Sequence, residues 1–167
     1  DRKRKEKLAI WCNVIPEHVI SAPDIESIYD VPINFERDHI GEMMLKALKL
    51  KVRNSNGAMK EWEKFANKVK TVKDEVKIAI VGKYFDTGDF VLSDAYLSVI
   101  EALKFSAYHL NKKPKLDWLN AKNFEKGGAS LNILKKYDGI LVPGGFGETG
   151  IEGKIKAIKF AREHKIP

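Results

Sequence analysis

The sequence predicts an α/β protein whose second half is a parallel sheet with helices on both faces. Three observations predict it. Short apolar runs of strand length, Val76–Gly82, Lys115–Leu119 and Tyr137–Val142, recur along that half. Segments with apolar residues at helical spacing separate and follow them. A glycine-rich stretch, Val142-Pro143-Gly144-Gly145-Phe146-Gly147, leaves the end of the third run.

The elements follow in order. Leu8–Val14 (LAIWCNV) is a short apolar run between charge and Pro16, and reads as a buried strand with Cys12 as a small core residue. Val19–Ser21 is a short extended piece, and Ala22-Pro23-Asp24 is a turn. Ile25–Val31 mixes apolar residues with acids and stops at Pro32. His39–Leu50 places Ile40, Met43, Met44, Ala47 and Leu48 at helical spacing. Residues 51–57 are polar and turn-rich, and a lysine-rich helix over Met59–Val72 carries Trp62 and Phe65 on one side. These features predict a first domain over 1–52, a linker with a helix over 53–75, and a second domain over 76–167. In the second domain, Ser93–Leu110 is a long helix with Leu97, Ile100, Leu103, Ala107 and Leu110 on one face. Ser130–Lys136 is a short helix, and Ile151–His164 is a helix that aligns Ile151, Ile155, Ile158 and Ala161. Phe85–Leu92, with Gly88, reads as a mobile loop.

Composition narrows the class. The 167 residues are 44% hydrophobic and 32% charged, enough for one ordinary domain or parts of two. No apolar run approaches the roughly 20 residues that span a bilayer, and the charged start DRKRKEK is not followed by a signal-peptide core. No membrane partner is expected. One cysteine excludes an intrachain disulfide and fits a reducing, cytoplasmic compartment. The net charge of +7 is compatible with a polyanion partner, and nucleoside triphosphates and nucleic acids both qualify. The lysines are spread along the chain, whereas a nucleic-acid footprint clusters on one face, so no nucleic-acid partner is expected. Both ends of the chain read as cuts, at Asp1 within a charged run and at Pro167 just after an amphipathic segment.

The glycine-rich stretch is the sharpest chemical feature. Ligands of such sheets bind beyond the carboxyl ends of the strands. Glycines there let backbone N–H groups face a developing oxyanion or a phosphate, and they equally serve a tight turn. Lys83 and Tyr84, at the end of the first strand, belong to the same rim and can face a charged ligand. Asp24, Glu26 and Asp30 are an acidic group that can reach magnesium or ribose, or are plain solvated acids. His18, His39, His109 and His164 are scattered and make no metal-ligand spacing with Cys12 or each other, so no metal ligand is assigned.

Several segments, in order and over nearly the whole chain, resemble the CTP synthase family. AIWCNV (9–14), VISAPD (19–24) and SIYDVP (27–32) resemble the end of its amidoligase domain, a Rossmann-like fold. Val76–Tyr84, DAYLSVIEAL (94–103), GILVPGGFG (139–147) and GIEGK (150–154) resemble the start of its class I glutamine amidotransferase domain, a flavodoxin-like fold. The resemblance implies ATP-dependent amination of UTP to CTP with ammonia from glutamine hydrolysis. It also implies Mg2+ for the ATP step, GTP as activator and a homotetramer. By resemblance, Lys7 contacts UTP or CTP, and Pro23, Asp24 and Ile25 hold the ATP adenine. Gly144, Gly145 and Phe146 bind glutamine and form the oxyanion hole. The phosphate-binding loop and magnesium carboxylates belong before Asp1, and the nucleophilic cysteine, with its histidine and glutamate, beyond Pro167. No catalytic residue is therefore expected in this chain, which should be inactive alone. The alternatives are a noncatalytic flavodoxin-like module that binds a nucleotide or phosphate, and a basic nucleic-acid-binding protein.

Overall fold

A computed structural model describes residues 2–51, 57–83, 86–87, 90–91, 96–125, 130–145 and 147–167. The chain divides into two units, Asp1–Lys70 and Thr71–Pro167.

The regular elements described in the first unit are helices and 3-10 turns. Helix α1 spans Arg2–Cys12. An Arg2–Glu6 ion pair at 3.0 Å, one turn apart, supports its start. Asn13, at φ 53°, ends it. The Asn13 N–H bonds the Ile10 carbonyl and the Val14 N–H the Ala9 carbonyl, which closes the last turn in a Schellman arrangement. The expected strand at Leu8–Val14 is thus a helix end. Its apolar residues are not core: only Ala9 is buried, Trp11 is 88% exposed, and Cys12 is exposed. Helix α2 spans Val31–Arg37 and α3 spans Ile40–Ala47, joined through His39 in the left-handed region. Helix α4 spans Ala58–Thr71. It docks on the 3-10 turn Ile28–Asp30. The ring of buried Tyr29 meets Phe65 and Trp62 edge-on at 5.2 and 6.2 Å, and Trp62 Nε1 donates to the Tyr29 carbonyl at 2.8 Å. Lys70 pairs with Asp30 at 2.7 Å. The helix expected in the linker therefore packs within the first unit.

The second unit is built on three parallel strands. They are β1 (Glu75–Gly82), β4 (Lys113–Asn120) and β5 (Gly139–Leu141), in the order β4-β1-β5. Gly82 pairs with Asn120 and Ile80 with Leu141, so the carboxyl ends of β1 and β4 finish level. Between β1 and the next helix lie two residues each of β2 (Asp86–Thr87) and β3 (Phe90–Val91), an antiparallel pair within the segment expected to be a mobile loop. Tyr84, Phe85, Gly88, Asp89 and Leu92 lie outside the described residues. Helix α5 spans Leu97–His109. It covers one sheet face, where Tyr96, Val99 and Leu103 pack with Ile80, Leu116, Trp118 and Leu141. The ends of its expected apolar stripe, Leu97 and Leu110, are exposed. The other face carries α6 (Lys122–Glu125), the 3-10 turn Leu131–Lys136 and α7 (Ile151–Glu163). There Phe124, Leu134, Ala157 and Phe160 pack on Ala79 and Val81. Alternate residues of β1 thus feed opposite faces, as a doubly wound sheet requires. Beyond α7, the Pro167 carbonyl accepts from the Ile140 N–H at 2.7 Å, which lays the chain along the outer edge of β5.

The apolar face of α7 differs from the expected one. Ile151, Ile155 and Ile158 are 41–51% exposed. Gly153, Ala157 and Phe160 are buried instead. The cause is close approach to the turn after β4. A Cβ on Gly153 would lie 1.8 Å from the Ala121 carbonyl oxygen, so only glycine lets the helix sit there.

Candidate functional site

The rim at the carboxyl end of the second unit's sheet gathers β1, β5 and the start of α7. After Leu141 the chain runs through Val142 and buried Pro143 into exposed Gly144 and Gly145, and on through Gly147 to Gly150, which caps α7 at φ 82°. Two lysines hold this loop by its carbonyls. Lys83, just past β1 and only 8% exposed, donates from Nζ to the Gly147 carbonyl at 2.6 Å. Lys154, in the first turns of α7, donates from Nζ to the Pro143 carbonyl at 2.7 Å and reaches the Gly144 carbonyl at 3.4 Å. Burial lowers the Lys154 pKa, and the Lys83 charge lowers it further. Gly150 is confined as well: a Cβ there would meet the Lys83 stem at 3.2 Å, in a conformation side chains rarely adopt.

With carbonyls of the loop directed at lysines, its N–H groups are left for other partners. Among the described residues, the Gly144 and Gly145 N–H groups have no partner in the chain. Nothing lies within 4 Å of a Cβ placed on Gly144. Two adjacent exposed donors at the carboxyl end of a parallel strand can receive a developing oxyanion or a bound anion. The structure thus brings Lys83 to the Gly144 loop, as the rim position of both implied. Tyr84 and Phe146 lie outside the described residues. Lys154 was missed as a site residue. Its signal was a cation in the first turns of a helix, where the helix dipole disfavours positive charge.

The other predicted residues lie in the first unit. Lys7 is exposed on α1. Pro23 and Asp24 are exposed in a segment without regular secondary structure, and Ile25 lines a groove of about 550 Å³ with Glu26, Asp30, Arg37, Asn67 and Lys70. Lys7, Pro23 and Asp24 do not line that groove. Of the acidic group, Glu26 and Asp30 come together there, but Asp30 is engaged by Lys70. No group of three His, Cys, Asp or Glu side chains suited to a metal occurs among the described residues. No helix among them is long and apolar enough to cross a membrane.

The sheet order, the two-faced helix packing and the glycine loop define an α/β domain of doubly wound, flavodoxin-like type. Residues 91–167 match the family model "Glutamine amidotransferase class-I", and residues 1–50 match "CTP synthase N-terminus". CTP synthases of Caldanaerobacter subterraneus subsp. tengcongensis and Pyrococcus abyssi are 45% and 44% identical to the chain over 163 residues, which is 98% of it. The chain spans 29% of the length of these relatives. A solved Trypanosoma brucei CTPS glutaminase domain with bound acivicin is 34% identical, covering 55% of this chain and 34% of that one, with a TM-score of 0.48. The chain belongs to the CTP synthase family, and carries part of its N-terminal domain together with part of its amidotransferase domain.

Proposed function

We propose that the chain serves a longer enzyme that aminates UTP to CTP, using ATP, Mg2+ and ammonia released from glutamine, with GTP as activator. In this reading the enzyme works as a cytoplasmic homotetramer. Lys7 contacts UTP or CTP, and Pro23, Asp24 and Ile25 hold the ATP adenine. Gly144, Gly145 and Phe146 bind glutamine, and the loop N–H groups receive the oxyanion formed when a thiolate from elsewhere in the enzyme attacks the glutamine amide. The family membership supports the overall reaction. The observation that carries the site is the exposed Gly144–Gly145 donor pair on a loop whose carbonyls are held by Lys83 and Lys154.

The test removes one donor. Gly144→Pro in the longer polypeptide deletes that N–H, and a Cβ at 144 meets no atom within 4 Å. Losing one oxyanion donor costs about 10²–10³ in turnover. Glutamate release should fall by that factor, while CTP formation from added ammonia, which bypasses this loop, serves as the internal reference. Unchanged glutamate release would remove the oxyanion role. A loss of nucleotide binding instead would favour the phosphate-binding reading of the loop.

A further inference from the structure

We propose that Lys154 is a positioning residue for the oxyanion-binding loop, setting the direction of the N–H groups that Gly144 and Gly145 present through the carbonyls it binds; this rests on the glutaminase reading above.

The geometry lies in the peptide planes. The Pro143 carbonyl and the Gly144 N–H belong to one planar peptide, and the Gly144 carbonyl and the Gly145 N–H to the next. No cis peptide bond occurs among the described residues. In a trans peptide the C=O and N–H point in opposite directions, so fixing the oxygen aims the hydrogen the other way. Lys154 Nζ lies 2.7 Å from the first oxygen and 3.4 Å from the second. One ammonium on the inner side of the loop therefore orients two consecutive N–H groups outward, where Gly144 and Gly145 are exposed. Neither glycine has a side chain that would otherwise hold its peptide plane.

The site of this cation is electrostatically poor, which argues that its contacts matter. It lies in the first turns of α7, near the positive end of the helix dipole. It is partly buried, and the Lys83 charge opposes it. Its position is also mechanically fixed. Gly153, the preceding residue, is locked against the Ala121 carbonyl, so α7 cannot slide without carrying Lys154 off the loop. Lys83 holds the far end of the same loop at the Gly147 carbonyl.

The test uses the longer polypeptide and steady-state glutamine hydrolysis. Lys154→Met keeps the stem and removes the donor. Misplaced donors should lower kcat by about 10- to 100-fold, with KM for glutamine moving less than about 3-fold. Lys156→Met is the structural control, because Lys156 also ties α7 to backbone carbonyls, those of Phe124 and Glu125 at 3.3 and 3.0 Å, away from the loop. It should leave kcat and KM within about 2-fold, as surface substitutions usually do. If Lys154→Met does not fold, Lys154→Gln, a donor on a shorter stem, should show the same kcat loss. Equal effects of the 154 and 156 variants, a change in KM alone, or no effect at 154 would each overturn the proposal. If the unsubstituted enzyme itself releases no glutamate, the glutaminase reading fails first, and the two failures are told apart.

Discussion

Tyr137 joins the 3-10 turn before β5 to the sheet through one hydroxyl, which donates to Asp117 Oδ2 at 2.9 Å. Burial first, then the hydrogen bond and charge of Asp117, push its pKa from 10.0 up to about 12. A phenol whose folded pKa lies above its unfolded one favours the native state while it stays neutral. That contribution is complete below pH 10 and is lost as the pH rises towards 12. Its size is bounded by roughly 3 kcal/mol. Urea midpoints at pH 8, 10 and 11.5 should fall in that order. Tyr137→Phe should lose this part of the slope and cost about 1.5 kcal/mol at pH 8 by leaving Asp117 without its donor. An unchanged slope in the variant would assign the pH dependence elsewhere. The same scale shows which site residues were legible. Lys83 could be placed at the rim because it directly follows a strand whose end the hydropathy marks. Lys154 was harder to place, because where its side chain points depends on which face of α7 meets the sheet, and close packing at Gly153 rather than hydropathy sets that face.

Helix α7 offers two stripes at helical spacing: Ile151, Ile155 and Ile158, and Gly153, Ala157 and Phe160. Hydropathy favours the first, yet packing selects the second, because small residues let the helix reach the turn after β4. Phe160→Ala should cost about 3 kcal/mol, since that ring is 9% exposed and stacks on His164 at 3.9 Å. Ile155→Ala should cost no more than about 0.5 kcal/mol. Urea unfolding of the two variants measures both, and equal costs would restore the isoleucine face as core. Element type was legible where length and period agreed: α4, α5, α7 and the three strands stand within a few residues of their expected places. It failed at α1, where a seven-residue apolar run fits a strand or a helix equally by periodicity. The deciding signals were local: helix-forming charged residues ahead of the run, and an asparagine placed to take the left-handed turn. Left-handed non-glycine residues also follow α3, α5 and α7, at Lys49, Asn111 and Lys165. In each case the next N–H reaches back to close a Schellman turn. Two of those three are lysines, which composition does not mark as helix stops.

Across the whole molecule, the proposed chemistry needs more functional groups than the described residues bring together. Covalent glutamine hydrolysis requires an activated thiolate within reach of the oxyanion donors. The single cysteine, Cys12, is the last residue of α1 and not on the strand-to-helix turn that presents such a nucleophile. Transfer of phosphate from ATP requires Mg2+ held by carboxylates. Of the acids proposed from sequence, Asp30 is taken by Lys70, and no three-ligand group occurs among the described residues. The 167-residue chain alone should therefore release no glutamate from glutamine above the uncatalysed rate. Given UTP, ATP, Mg2+ and ammonia, it should form no CTP. The longer polypeptide should do both. Glutamate release by the chain alone would overturn this division of labour, and repeating the assay with Cys12→Ser would then show whether that exposed thiol had become the nucleophile.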